Sequence, residues 1–294
     1  MIRILGTIFA GLLGLAFGSF LNVCLSRWPE GESVVKPRSH CRNCDHTLSW
    51  WENVPLVSWL ALRGRCRRCG AWIGLRYPLV ELAVAAIWTV PAWRLMTSVL
   101  NPTLPPALIY LETARTACVL AFFWFLVALA ILDAEHLWLP DWITLPGIAL
   151  GFMFDLSIVA LPSIDGLDGV AVGLLPVALL SLLAIAAAAG LMLLIRFIYW
   201  LIRRREGLGL GDVKLMAMLA AWLGLRSALL AFILGIVLGA SVALVLLAIP
   251  SARAGSERWS ASKLPLGTFL CIGGVVSALW GQPIIATYLR WAGF

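Results

Sequence analysis

Eight apolar runs, at about residues 4–25, 77–97, 108–132, 142–161, 169–202, 212–223, 227–250 and 265–290, dominate this sequence. A helix needs about 20 apolar residues to cross the hydrocarbon of a bilayer, and there every backbone N–H and C=O must be satisfied within the segment. The runs therefore predict an all-α polytopic membrane protein with about eight transmembrane helices. The fifth run is long enough to tilt or to extend past the membrane, and the sixth is short. Of the 294 residues, 62% are hydrophobic and only 13% charged, where a soluble domain carries about a quarter. Residues 1–26 lack a small-residue cleavage site after the apolar run. Gly11, Gly14 and Gly18 predict close helix packing there instead of a removable signal.

The net charge of +7 is explained by topology, not by nucleic acid. Residues 27–76 hold nine Lys or Arg, whereas the short connections at 98–107 and 162–168 hold none. The positive-inside rule puts 27–76 in the cytoplasm. Alternation then puts 203–211 and 251–264, each with three basic residues, on the same side and both termini outside. Arg3, Arg226 and Arg290 at outside ends are a minor dissent.

The sequence thus divides into a first transmembrane helix (1–26), a polar segment (27–76) and a seven-helix membrane domain (77–294). The polar segment carries Cys41-Arg42-Asn43-Cys44 and, after 21 residues, Cys66-Arg67-Arg68-Cys69. Paired Cys-x-x-Cys knuckles at this spacing predict a zinc-ribbon-like site with Cys41, Cys44, Cys66 and Cys69 as tetrahedral thiolate ligands. A cytoplasmic location disfavours disulfides. So small a segment has too little core to fold alone, so structural Zn2+ is the natural staple. His40 and His46 flank the first knuckle as bystanders. Trp50, Trp51 and Trp59 are candidates for anchors at the membrane surface.

The acidic residues are few. Asp212 closes Gly207-Leu208-Gly209-Leu210-Gly211-Asp212-Val213-Lys214, where three glycines strip the backbone bare at the mouth of a span. A carboxylate at that depth is a functional-site hypothesis, although an N-cap role also accounts for it. Its candidate partner is Asp133, at the end of the third span and on the same predicted face; Asp141, which heads the fourth span, competes for that role. Two carboxylates brought together there cannot both ionise easily, so they share a proton. One can then serve as general base on water while the other polarises a carbonyl. Asn22 near the end of span one and Glu81 one turn into span two each read as packing or helix-start residues, with binding as the alternative for Glu81.

Taken together, Gly18-Ser19-Phe20-Leu21-Asn22, the two knuckles, Leu62-Arg63-Gly64-Arg65-Cys66, Arg76-Tyr77-Pro78-Leu79-Val80-Glu81, Asp133 through Pro146 and Gly209-Leu210-Gly211-Asp212-Val213-Lys214 resemble the type IV prepilin peptidase family. The resemblance runs from Gly18 to about Gly224. It implies an eight-helix membrane aspartic protease of the Gly-x-Gly-Asp kind in the bacterial inner membrane, with its active site facing the cytoplasm. Asp133 and Asp212 would be the catalytic pair, with Gly209, Gly211, Lys214 and Asp141 supporting the catalytic loop. The substrates implied are prepilin or pseudopilin helices lying in the bilayer, cleaved after a glycine that ends a basic leader. The resemblance further implies N-methylation of the new terminus with S-adenosylmethionine, a role tied to the N-terminal half, where Asn22, Arg63, Gly64 and Glu81 are the candidates. Glu135 and Leu210 depart from the family's usual residues, and neither departure removes a catalytic group.

Glu30, Glu32, Glu52 and Glu135 are candidate attractors for a basic leader. Two rivals stand beside the protease. A proton-coupled transporter predicts carboxylates near the bilayer midplane of several spans, and a non-catalytic zinc-ribbon scaffold predicts indifference to loss of either aspartate.

Overall fold

The computed structural model describes residues 1–101, 103–160, 173–205, 207–248 and 264–293. Among these, the chain is helical: α1 Ile2–Arg27, α2 Val57–Ala61, α3 Arg76–Val99, α4 Pro106–His136, α5 Asp141–Ala160, α6 Leu174–Arg203, α7 Leu210–Ala248 and α8 Leu266–Trp291. All but α2 are long and apolar enough to cross a membrane. The expected loops at 162–168 and 251–264 lie outside the described residues, apart from Leu264. The helices fall into two compact units, Met1–Ala128 and Leu129–Phe294.

In the first unit α1 and α3 run antiparallel at close range. A Cβ added at Gly14 would lie 2.6 Å from the Ala85 Cα, and one at Gly18 would lie 2.6 Å from the Glu81 Cα. No larger residue permits that approach, and the glycines read from the sequence as packing positions are used as such. Trp124 of α4 closes the side, its indole N–H donating to the Phe17 carbonyl at 3.1 Å and its ring stacked on Phe20. The 48 residues between α1 and α3 form the polar segment, with α1 ending at Arg27 and α3 starting at Arg76.

In the second unit the 39-residue α7 is two helices, not one. Gly224 interrupts it with φ 74° and ψ 166°, a conformation essentially closed to residues with a side chain. The first arm runs parallel to α5: Gly147 lies against Met218 and Gly151 against Trp222, whose indole donates to the Gly147 carbonyl at 2.8 Å. The second arm runs antiparallel to α8, with Gly239 against Phe269 and Gly235 against Leu270. Nearer Gly224, Ser277 donates to the Ser227 carbonyl at 2.7 Å. The chain therefore reverses at Gly224, and the two expected spans at 212–223 and 227–250 are the arms of this hairpin. Its consequence is positional: the N-termini of α7 and α8 come to the same end of the unit.

Gly224→Ala should cost about 1–3 kcal/mol through backbone strain alone, because nothing lies within 4 Å of the added carbon. Gly190→Ala, inside α6 and equally unobstructed, should leave stability unchanged or raise it. Thermal unfolding of the two variants in detergent checks the contrast. Equal melting temperatures would contradict the reversal.

Candidate active site

The end of the second unit where α7 and α8 begin collects its buried acids. Asp133 is on the last turn of α4 and only 5% exposed; Asp212 is on the first turn of α7 and 9% exposed. The two are near enough for each carboxylate to feel the other's charge. Leu139, in the four-residue connection from α4 to α5, sits between the two sides. It packs against Gly211 on one side and against Gly267 on the other.

The two carboxylates are held by different means. Asp212 occupies the third helical position of α7 and accepts the Gly209 N–H at 3.2 Å. This is the carboxylate half of a capping box, with the positive end of its own helix beside it. Asp133 sits at the C-terminal turn of its helix, where a negative charge is opposed by the dipole. Its compensation comes from another helix: the Thr268 N–H at the start of α8 donates to Asp133 Oδ2 at 2.7 Å. The Thr268 hydroxyl lies 3.3 Å from the same oxygen and donates to the Ala130 carbonyl at 2.8 Å. Gly267 makes this possible, since a Cβ there would fall 2.9 Å from Asp133 Oδ2.

Each glycine of the Gly207–Asp212 turn has its own reason. Gly207 lies under the Tyr199 ring, which leaves no room for a Cβ; Gly209 supplies its N–H; Gly211 faces Leu139. Arg196 of α6 fixes the turn by donating to the Leu208 carbonyl at 2.9 Å. Asp141, the competitor to Asp133, is directed elsewhere: its exposed carboxylate pairs with Lys214 at 2.6 Å, tying the start of α5 to α7. Glu135 and His136 are partly exposed and lie 3.9 Å apart.

In the first unit the four cysteines converge, their sulfurs all within 4.8 Å of one another. The Cys41–Cys69 and Cys44–Cys66 separations are 3.8 and 4.0 Å. Tetrahedral ligands at the usual Zn–S distance of about 2.3 Å lie about 3.8 Å apart, so the donor set fits zinc. The two knuckles repeat one geometry. Cys41 N–H donates to the His46 carbonyl and Cys66 N–H to the Ala71 carbonyl, at 2.9 and 2.8 Å. Asp45 and Gly70 take left-handed φ values of 53° and 70° at matching positions. The Ala71 N–H and the Asn43 amide hold the Cys69 thiol down at about 6. Cys44, despite the His46 N–H that favours its thiolate, is pushed up to about 12 by desolvation and by the neighbouring thiols. A metal ion binding all four must displace that proton. His40 and His46 stand outside the cluster: His40 bonds the Arg38 carbonyl, and His46 meets Glu52 at 3.3 Å.

The other residues singled out in the sequence meet around the segment's inner side. Asn22 is buried and donates to the Tyr77 carbonyl at 3.0 Å. Glu81, also buried, accepts the Leu56 N–H at 2.7 Å, pinning a residue with φ of 60°. Gly64 backs the Trp59–Trp72 pair, whose rings its Cβ would touch at 2.8 Å. Arg63 precedes it in the same turn with φ of 52°. Trp59 donates its N–H to the Ile73 carbonyl at 3.0 Å, and its ring packs edge-on against Trp72. Of the expected anchors, Trp50 is the one left open. Glu52 is also unavailable to a basic leader from outside, being buried under Ser49 and His46.

Two family descriptions match the chain: "Bacterial Peptidase A24 N-terminal domain" over residues 12–95 and "Type IV leader peptidase family" over residues 120–244. The curated relatives include proteins named prepilin leader peptidase/N-methyltransferase. That of Stutzerimonas stutzeri is 34% identical over 96% of this chain and 93% of its own length. That of Pseudomonas aeruginosa has the same identity and coverage. That of Myxococcus xanthus is 36% identical over 88% of this chain and 68% of its own. No solved structure matches the chain.

Metal analysis of the purified full chain should find about one zinc ion per chain, and Cys69→Ser should lose it and lower the melting temperature. A well-folded protein without metal contradicts the centre.

Proposed function

The chain belongs to the type IV leader peptidase family, and from that premise we propose that Asp133 and Asp212 are the catalytic pair of a membrane aspartic endopeptidase. It cleaves prepilin-type substrates and methylates the new N-terminus. The observation that carries the catalytic assignment is the convergence of two buried carboxylates, one from α4 and one from α7, beside the N-terminal ends of α7 and α8.

The geometry suits hydrolysis of a peptide bond. One carboxylate, ionised, takes a proton from water; the other, protonated, donates to the scissile carbonyl and then to the leaving amine. The backbone donors at Gly209 and Thr268 fix the two groups without adding a competing side-chain acid. Lys214, paired with Asp141, holds the starts of α5 and α7 together and supports the loop from outside. A prepilin joins a basic leader to an apolar helix, so it lies in the bilayer with its cleavage site at the interface. Acids at helix ends meet it there, whereas the transporter reading needs them at mid-span.

The remaining assignments follow the same reading. The site faces the cytoplasm of the bacterial inner membrane, the side to which the basic connections point. Residues 27–76 form a separate domain stapled by structural zinc. S-adenosylmethionine supplies the methyl group, with the N-terminal half as its seat.

Asp133→Asn and Asp212→Asn should each lower kcat for prepilin cleavage by about 10²–10⁴-fold, with KM nearly unchanged. Gly267→Ala should fall between these and the parent at about tenfold or more, because a shift of about 1 Å in a catalytic group can cost two orders of magnitude. The pH profile of kcat/KM should be bell-shaped, one limb from each carboxylate state. Undiminished cleavage by either Asn variant sinks the assignment.

A further inference from the structure

The N–H that Asp212 accepts belongs to the peptide between Leu208 and Gly209. The carbonyl of that same peptide accepts from Arg196 of α6 at 2.9 Å. A trans peptide is planar, with its C=O and N–H on opposite edges, and this one is trans. Arg196 and Asp212 therefore hold one rigid plate from its two sides.

The plate needs an outside restraint. It can turn about the single bonds that flank it, and Gly209 has no side chain to restrict that rotation. If the plate turned over, the Leu208 carbonyl would face the carboxylate, and acceptor would meet acceptor. A buried carboxylate would then lose a donor and gain a repulsion. A stiffer residue at 209 is no remedy, since its Cβ would crowd Asp212 Oδ2 at 3.3 Å.

The restraint comes from α6. Arg196 lies about two turns before that helix ends at Arg203. Tyr199, three residues on, shares its face of the helix, and the Tyr199 ring covers Gly207. The chain thus doubles back along α6, with residue 207 against 199 and residue 208 against 196. A guanidinium inside an apolar span is expensive to keep, and this half-buried one directs a donor at the catalytic turn. A charged donor bonds a carbonyl more strongly than a neutral one does. It also polarises the peptide, so the N–H on the far edge becomes a better donor.

We propose that Arg196 is a positioning residue for Asp212: it locks the Leu208–Gly209 peptide with its N–H toward the carboxylate. It does for Asp212, through one peptide, what Thr268 does for Asp133 directly. This rests on the reading that Asp133 and Asp212 are the catalytic pair. Arg196 acts on the turn and not on the substrate, so its loss falls on the chemical step and spares substrate capture.

Prepilin cleavage by the full chain in detergent, resolved into kcat and KM, tests the assignment. Arg196→Met removes the donor and keeps an apolar stem. Its kcat should fall at least about tenfold, because a displacement of about 1 Å near the chemistry can cost two orders of magnitude. KM should stay within about twofold of the parent. Arg196→Lys still offers an N–H to the carbonyl and should recover most of the lost kcat. Arg196→Gln is polar but too short to reach Leu208, and should lose as much as Arg196→Met. It keeps the test valid should the Met variant fail to fold. The parent kcat in a folded Met or Gln variant overturns the proposal. A loss confined to KM, or a Lys variant no better than Met, overturns it too. Inactive Asp212→Asn beside a fully active Arg196→Met sinks the proposal and leaves the catalytic pair standing. Undiminished cleavage by Asp212→Asn removes the pair, and the proposal with it.

Discussion

Holding two carboxylates out of water at the end of an apolar helix bundle is the constraint on which the second unit is built. Taking an unpaired carboxylate from water into an apolar surround is expensive, and putting two together adds repulsion. Among the described residues, Asp133 and Asp212 are held by backbone N–H groups and one hydroxyl rather than by an arginine or lysine. Helix N-termini supply what a cation would otherwise supply, with donors that cannot rotate away and do not quench the groups as bases. That choice dictates topology. Two helices must begin at the same end of the unit, so the chain between them must turn back, and Gly224 is where it does.

Glycine does the corresponding work elsewhere. The approach of α1 to α3 at Gly14 and Gly18 brings Glu81 of α3 next to the bare backbone of α1. Glu81 in turn holds the strained Leu56. In the other unit Gly267 lets a carboxylate from α4 reach the first turn of α8. The same economy operates in both: a missing side chain on one helix makes room for a buried acidic side chain from its neighbour.

Much of this was legible in the sequence, for reasons that differ by residue. The spans follow from apolar runs, and Gly224, where the helix breaks, falls between the runs at 212–223 and 227–250. The four-cysteine cluster, whose geometry fits zinc, follows from knuckle spacing. Choosing Asp133 over Asp141 depended on burial, which the sequence left open: the structure turns Asp141 outward to Lys214. Gly267 and Thr268 were missed. Their contribution is a backbone N–H and an absent side chain, reaching a residue 135 positions away, and neither leaves a mark in composition. The pairing of Trp59 with Trp72 is not legible in the sequence, because an indole's preference for interfaces says nothing about a second tryptophan that packs against it.

The central claim is that Asp133 and Asp212 act on one bond. Cryo-electron microscopy of the Asp212→Asn variant with an uncleaved prepilin bound tests it most directly. The account predicts the scissile carbonyl between Asp133 and the residue at 212, with the Thr268 N–H still on Asp133. A cleavage site seated away from Asp133, or α8 withdrawn from it, contradicts the account.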